Sequence, residues 1–391
     1  MKMTGIFLTT LFLFHLVLIP SKAFTFSNPF QNAFFGPDQG RETGLQMPFK
    51  NPFAGTEQPP EENQGGGDDQ QEKPVGKQPF FNAKHKLKQG FYRATCPNAE
   101  KIVADALAEM VKTNPSAIAN FIRLQFHDCF VNGCDASVLL DFSPAGDKVE
   151  KNSMFNGFLL KGADLIDDIK TKLEEECPET VSCADTLAFA TNEAMALAGV
   201  PRQRPLGGRR DALVSLASVA EDNNLPSPNW SVDQMIELFN RKGFNAEELV
   251  VLLGAHSVGS AHCDLFMDRL YNFKNSQKPD PTLIPPVVDE LKQICKNPGT
   301  PQFRNPPVNF DETPTKLDNL FYKNMVEKKK SLLLSDSFLL GDPRTGPVVR
   351  KMAAEPGLFP KKFAEVMVKL CSLNVLTGND GEIRKTCRST N

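Results

Sequence analysis

Nine cysteines behind an N-terminal apolar leader limit this chain more than any other feature of its 391 residues. Lys2 precedes an apolar run at 6–19, and Pro20, Ser21 and Ala23 follow as a small-residue cleavage site. The run is too short to cross a bilayer comfortably and has the layout of a secretory signal, so residues 1–23 are expected to be removed. The mature chain then meets an oxidising compartment, where eight cysteines can pair and one is left over. The sequence alone does not choose among the possible pairings. No other stretch is long and apolar enough to span a membrane, so the mature protein is expected to be secreted and soluble.

Residues 24–86 differ in composition from the rest. Asn28-Pro29-Phe30, Asn51-Pro52-Phe53, Gly65-Gly66-Gly67 and Gln78-Pro79-Phe80-Phe81 recur there without helical or alternating periodicity. Such a stretch cannot bury enough apolar surface to offset the entropy of ordering it, so it is expected to be disordered, with the Phe-containing pieces as candidate docking motifs. Residues 87–391 form the expected folded domain. Apolar residues recur three and four apart at 102–110, 118–130, 159–173, 183–198, 231–242, 246–255, 319–326 and 362–373, and alternating patterns are scarce. An all-α, mainly helical fold follows. A net charge of −3, from 44 Lys plus Arg against 47 Asp plus Glu, excludes nucleic acid as the main partner.

With His15 lost in the leader, the remaining histidines are His85, His127, His256 and His262. Arg123 and His127 stand four apart on one helix face, where a cation and an imidazole can accept a proton and stabilise departing negative charge. Directly after them, Asp128, Asp135, Ser137 and the carbonyls of a Gly133-containing loop offer hard oxygen ligands, clamped by Cys129 and Cys134, at the density Ca²⁺ requires. His256 ends an apolar helix. A neutral imidazole there suits iron ligation when a carboxylate holds its other nitrogen, and Asp336, amid apolar residues, is the candidate carboxylate. Each of these segments alone also fits an ordinary satisfied polar face.

Together the segments resemble the secretory plant haem peroxidases, class III of the plant peroxidase superfamily. The resemblance runs from about Leu87 onward and rests on an ordered set: Phe91-Tyr92-Arg93-Ala94-Thr95-Cys96-Pro97, the run from Arg123 through Phe126, His127 and Cys129 to Ser137, Val181-Ser182-Cys183-Ala184-Asp185, Gly208-Arg209-Arg210-Asp211, Gly254-Ala255-His256-Ser257-Val258-Gly259 and Asp268-Arg269-Leu270-Tyr271-Asn272-Phe273. It implies a helical fold whose distal and proximal halves enclose one haem b, with His256 on iron and Arg123, Phe126 and His127 on the opposite side. It implies that Asn156 orients His127, that Glu150 links this network to a distal calcium held by Asp128, Val131, Gly133, Asp135 and Ser137, and that the Pro226 carbonyl contacts an aromatic donor. A proximal calcium on Ser257, Asp311, Thr313, Lys316 and Asp318 is implied as well. So are the disulfides Cys96–Cys177, Cys129–Cys134, Cys183–Cys387 and Cys263–Cys295, with Cys371 left as a buried free thiol.

The activity implied is two-electron reduction of hydrogen peroxide with one-electron oxidation of small phenolic donors at the haem edge. Such chemistry serves wall phenolic cross-linking, peroxide removal or a stress response. A monomer is expected, in the extracellular space, the wall or the vacuole, with the 24–86 extension as the candidate wall-contacting segment. Asn229-Trp230-Ser231 is a glycosylation sequon. The chain departs from the family in five places, the first being Ser257, which replaces a threonine and keeps the hydroxyl. Phe155 replaces a proline, Leu159-Leu160-Lys161-Gly162-Ala163 replaces a segment whose serine helps bind a haem propionate, His262 stands where glutamine is commoner, and the 311–318 stretch is one residue shorter. Two rival readings are a non-catalytic peroxidase-like wall protein and a serine hydrolase. The second would use Ala255-His256-Ser257-Val258-Gly259 as a nucleophile elbow, which needs a strand before Ser257 and a later histidine.

Overall fold

The computed structural model describes residues 87–157 and 160–391. The leader, the 24–86 extension, His85, Phe158 and Leu159 lie outside the described residues. Helix α1 spans Ala99–Thr113 and α2 spans Ala117–Val131, and eleven of the fifteen residues of α2 are buried. A helix apolar on nearly every side belongs inside a molecule. On one flank its Phe121 and Leu124 pack with Leu107 of α1, Ile169 of α3 (Ala163–Glu176) and Leu187 of α4 (Cys183–Leu197). On the other, Ile118, Ile122 and Phe130 join a second cluster. Each such side chain contributes about 1.5–3 kcal/mol on burial. That outweighs the up to about 0.7 kcal/mol that a poor helix former costs.

A short helix, α5 (Ala217–Glu221), leads towards the second cluster, which is built by α6 (Val232–Arg241), α7 (Ala246–Leu253) and several later helices. Capping boxes start both larger helices, Ser231 with Gln234 and Asn245 with Glu248, so their first amide hydrogens are satisfied. A 3₁₀ turn, Gly254–Ser257, continues α7 and carries His256. Gly259 follows with φ +80°, and a Cβ there would lie 2.9 Å from the Ala119 Cβ, so the chain leaving His256 approaches α2 through a glycine.

The third cluster is smaller, formed by α8 (Met267–Tyr271) and α9 (Pro285–Ile294) with neighbouring loops. Beyond it come α10 (Leu320–Lys323), a π-helical turn at Asn324–Lys328, α11 (Leu334–Gly341), α12 (Gly346–Ala354) and α13 (Leu358–Leu370). The described strands form two antiparallel pairs. In one, β1 (Lys88–Gln89) meets β2 (Leu206–Gly207), and in the other β3 (Ser260–His262) meets β4 (Pro307–Asn309). Disulfides join Cys96 to Cys177, Cys129 to Cys134, Cys183 to Cys387 and Cys263 to Cys295. Cys371 is free, and it is part-exposed where a buried thiol was expected, because it sits at the C-terminal end of α13.

Candidate active site

Because α2 buries its other faces, what remains is one stripe of less buried positions: Ala119, Asn120, Arg123 and Phe126, with His127 beside it. These recur three and four apart, so they line one side of the helix. Arg123 is exposed, yet burial lowers the pKa of its guanidinium. Reachable by water while crowded by protein is what a side chain lining a recess shows, and a side chain on a convex surface does not. Arg123 Nε donates to His127 Nε2 at 3.2 Å, so that nitrogen is an acceptor and Nδ1 carries the proton. Nδ1 donates to Asn156 Oδ1 at 2.6 Å, and Asn156 Nδ2 donates to the Glu150 carbonyl at 2.7 Å. Burial and then the Arg123 charge push His127 down to about 3, against the pull of the Asn156 bond. The imidazole is therefore neutral at pH 7. Phe126 stacks on Phe130 at 4.3 Å, which fixes its ring next to this pair.

His256 presents Nδ1 to both carboxylate oxygens of Asp336, each at 3.1 Å. The proton thus sits on Nδ1 and leaves Nε2 with a free lone pair, the form that ligates a metal. Its ring stacks on Phe310 at 4.5 Å with 9° between planes, and meets Phe321 edge-on at 6.0 Å. Neither phenylalanine is legible in the sequence, because each lies more than fifty residues from His256 and no local pattern marks a ring stack. Asp336 is fully buried on α11, and the start of that helix is held by Arg269. Arg269 Nη1 donates to the carbonyls of Ser331, Leu332 and Leu333 at 2.7–2.9 Å, while Nε pairs with Asp280 at 2.9 Å.

Two groups of oxygens are left without partners. Asp128 Oδ1, Ser137 Oγ and both carboxylate oxygens of Glu150 are buried and make no hydrogen bond. Burial, with the charges of Asp135 and Glu150, holds Asp128 well above the usual carboxylate range. Burial raises Asp135 too, and burial plus the Asp135 charge push Glu150 up to about 8. Ser137 offsets part of the Glu150 shift without reaching hydrogen-bonding geometry. Orphaned oxygens on carboxylates that repel one another fit a hard dication better than they fit an empty core. Gly133 makes room nearby: at φ +142° its Cβ would lie 2.5 Å from the Asn374 carbonyl oxygen.

Asp311 Oδ2 is the matching orphan near His256, and burial pushes that carboxyl to about 6. Thr313 Oγ1 lies 3.1 Å from Asp311 and 3.0 Å from Asp318, and the Ser257 hydroxyl reaches the carbonyls of Lys316 and Asp318 at 2.9 and 3.2 Å. All five proximal candidates therefore meet, including Asp311 from the shortened stretch. Among the described residues no three His, Cys, Asp or Glu side chains converge to hold a metal by themselves. The Val131 carbonyl accepts from Lys242 Nζ at 2.9 Å, and the Gly133 carbonyl accepts from the Asp135 amide at 2.9 Å.

Pro226 is half-buried, and its neighbour Pro228 accepts the Ser335 amide hydrogen at 2.8 Å, which ties this loop to α11 beside Asp336. Asn229 is half-buried, and Ser231 of its sequon caps α6. His262 Nδ1 lies 2.8 Å from the Asn305 carbonyl. The residues before Ser257 are helical, and its hydroxyl is engaged with main chain, so no nucleophile elbow is built. Three of the sequence motifs serve the fold. Asp185 receives the Tyr92 hydroxyl at 2.8 Å and the Arg209 guanidinium at 2.6 Å, and Asp211 receives the Cys183 and Ala184 amides that open α4.

Residues 103–355 match the family model described as peroxidase. The chain is 42% identical over 305 residues to Peroxidase 28 of Arabidopsis thaliana, covering 78% of this chain and 93% of the relative. It is 40% identical over 305 residues to Peroxidase 5 of Vitis vinifera, covering 78% and 92%, and 40% identical over 310 residues to Peroxidase C2 of Armoracia rusticana, covering 78% and 88%. A mainly helical domain, two imidazoles each with its Nδ1 proton held, and relatives this similar over nearly their whole length place the chain in the peroxidase family, in its plant class III branch.

Proposed function

We propose that the chain is a secreted haem peroxidase that reduces hydrogen peroxide and oxidises small phenols one electron at a time. The observation that carries this reading is His256, whose Nδ1–H donates to a fully buried Asp336 while Nε2 stays open. One haem b, held through that Nε2, would supply the two electrons that reduce the peroxide and regain them one at a time from the phenols. Asp336 keeps the His256 proton on Nδ1 and makes Nε2 a stronger donor. Neutral His127 takes a proton from the inner oxygen of hydrogen peroxide at Nε2 and delivers it to the outer oxygen, which leaves as water. Arg123 stabilises the negative charge on that departing oxygen. Asn156 holds His127 in the tautomer that can do so. Phe126, braced by Phe130, blocks access so that donors surrender electrons at the edge, with the Pro226 carbonyl receiving the phenol hydroxyl.

Two calcium ions fit the orphaned oxygens: one at Asp128, Val131, Gly133, Asp135 and Ser137, with Glu150 behind, and one at Ser257, Asp311, Thr313, Lys316 and Asp318. The chain acts as a monomer outside the cell, after loss of residues 1–23, with wall contact assigned to the 24–86 extension. No helix among the described residues is long and apolar enough to cross a membrane, which agrees with this destination. The test is the purified, oxidised protein. A Soret band with peroxide-dependent guaiacol oxidation is expected. A protein that takes up no haem overturns the reading, and a Soret band without turnover reduces it to a non-catalytic wall protein.

A further inference from the structure

Among the described residues that carry a side chain and a positive φ, Ala136 (φ 58°) alone is buried, and the others are exposed. Alanine has no polar group to favour this left-handed form locally, so a contact from elsewhere must hold it. Ala136 stands between Asp135 and Ser137, two of the proposed distal calcium ligands. In this form the Ser137 amide donates to Asp135 Oδ1 at 3.0 Å, and the Ala136 amide donates to Asp128 Oδ2 at 3.1 Å. The conformation of one buried alanine therefore sets how three carboxylate and hydroxyl side chains of the cage face one another.

The contact comes from the C-terminal segment, 248 residues further on. Arg384 Nη2 donates to the Ala136 carbonyl at 2.7 Å, and Nη1 donates to the Cys387 carbonyl at 3.2 Å. Arg384 is fully buried, its charge partner is the equally buried Asp211 at 3.8 Å, and its Nε has no hydrogen-bond partner. Burying a guanidinium with one N–H unpaired costs stability, so its own hydrogen bonding does not account for its place. The segment is pinned on both sides of it. Asp211 and Glu382 exchange main-chain bonds at 2.8 and 3.0 Å, the Arg384 amide donates to Asp211 Oδ2 at 2.9 Å, and Cys387 is bonded to Cys183. We propose that Arg384 is a positioning residue for the distal cation, holding Ala136 in the left-handed form and so presenting Asp135 and Ser137 to calcium. The proposal rests on the calcium reading of the orphaned distal oxygens.

The test uses the secreted, haem-loaded full chain, with bound calcium counted by atomic emission as a chelator is raised. The parent is expected to hold two ions. Arg384→Lys keeps the charge, but an ammonium cannot hold the Ala136 and Cys387 carbonyls together as the planar fork does. One of the two ions should therefore leave at about tenfold lower chelator, the weight of a left-handed alanine that nothing holds. Adding Ala136→Gly to Arg384→Lys should restore the parent midpoint, because glycine takes this conformation unaided. Release from Arg384→Lys at the parent's chelator concentration overturns the proposal and leaves the cage standing, and so does a loss that the glycine does not restore. A parent that holds no calcium overturns the cage itself, and the proposal with it. Where Arg384→Lys is not secreted, the double variant must be, and failure of both overturns the proposal.

Discussion

Asn156 Oδ1 lies 2.6 Å from His127 Nδ1, and this contact holds the imidazole proton on Nδ1 and leaves Nε2 as the accepting nitrogen. With His127 depressed to about 3, kcat/KM for peroxide should stay level from neutral pH downwards and fall only as the imidazole protonates. Arg123→Leu removes a positive charge that lowers this pKa, so the acid limb should move to higher pH. Asn156→Val removes a bond that raises it and should move the limb the other way. A pH–rate series on both variants checks this, and shifts of equal sign contradict it. His127→Leu should cost about 10²- to 10⁴-fold in the peroxide step.

The same depressed pKa ties His127 to stability. Its folded value lies below the ordinary value of 6.5, so the unfolded chain binds the extra proton first. The His127 contribution is fully present above about pH 6.5 and is lost as pH falls towards about 3. Urea midpoints of the parent and His127→Leu should converge over that window.

Asp336→Asn keeps the size of the side chain but weakens its hold on His256 Nδ1. Helix content should be unchanged by circular dichroism, while haem affinity falls about 10- to 100-fold in a Soret titration. His256→Ala should remove the Soret band of the wild-type complex.

Removing calcium should destabilise the protein more as pH rises. Glu150 titrates near 8 without the cation, above its ordinary value of 4.5, so the folded state holds the extra proton and loses stability as pH climbs through that interval. Asp128 and Asp135 shift in the same direction. The Tm difference between calcium-loaded and chelated protein should be small near pH 5 and larger above about pH 8. A difference independent of pH contradicts the cage.

Arg269→Met strands Asp280 as a buried charge and frees three carbonyls at the start of α11, at a cost of about 3–5 kcal/mol in denaturant unfolding. Haem retention should fall with it, because α11 carries Asp336. Arg269→Lys should not restore either property, since an ammonium cannot span the same carbonyls as a planar guanidinium.

Helical periodicity is legible wherever a helix has a clear apolar face, and α1, α2, α4, α6 and α7 start or end within three residues of the expected bounds. The misses have local causes. The pattern at 159–173 begins before the helix does, because Gly162 takes φ +105° and α3 starts at Ala163. The 319–326 pattern divides into a four-residue helix and a π turn, a change of winding that spacing does not reveal. Helices α9 and α12 open on Pro285-Pro286 and Gly346-Pro347 and fall outside the expected segments, although proline in the first turn is a start signal. Helix α13 begins at Leu358, earlier than the expected 362, to bury Phe359. Arg123 with His127 can be read because both lie on one helix. Phe310 under His256 and Arg269 behind Asp336 depend on tertiary contacts that no local spacing encodes.

The Ser335 amide bond to the Pro228 carbonyl joins the loop of Pro226 to the residue next to Asp336. On the proposed reading, in which Pro226 meets the phenol and His256 holds the haem, this bond gears donor range to electron donation. Any remodelling of the 226–229 loop to admit a bulkier phenol pulls on the carboxylate that sets how strongly His256 donates, so substrate breadth and redox tuning cannot drift apart freely.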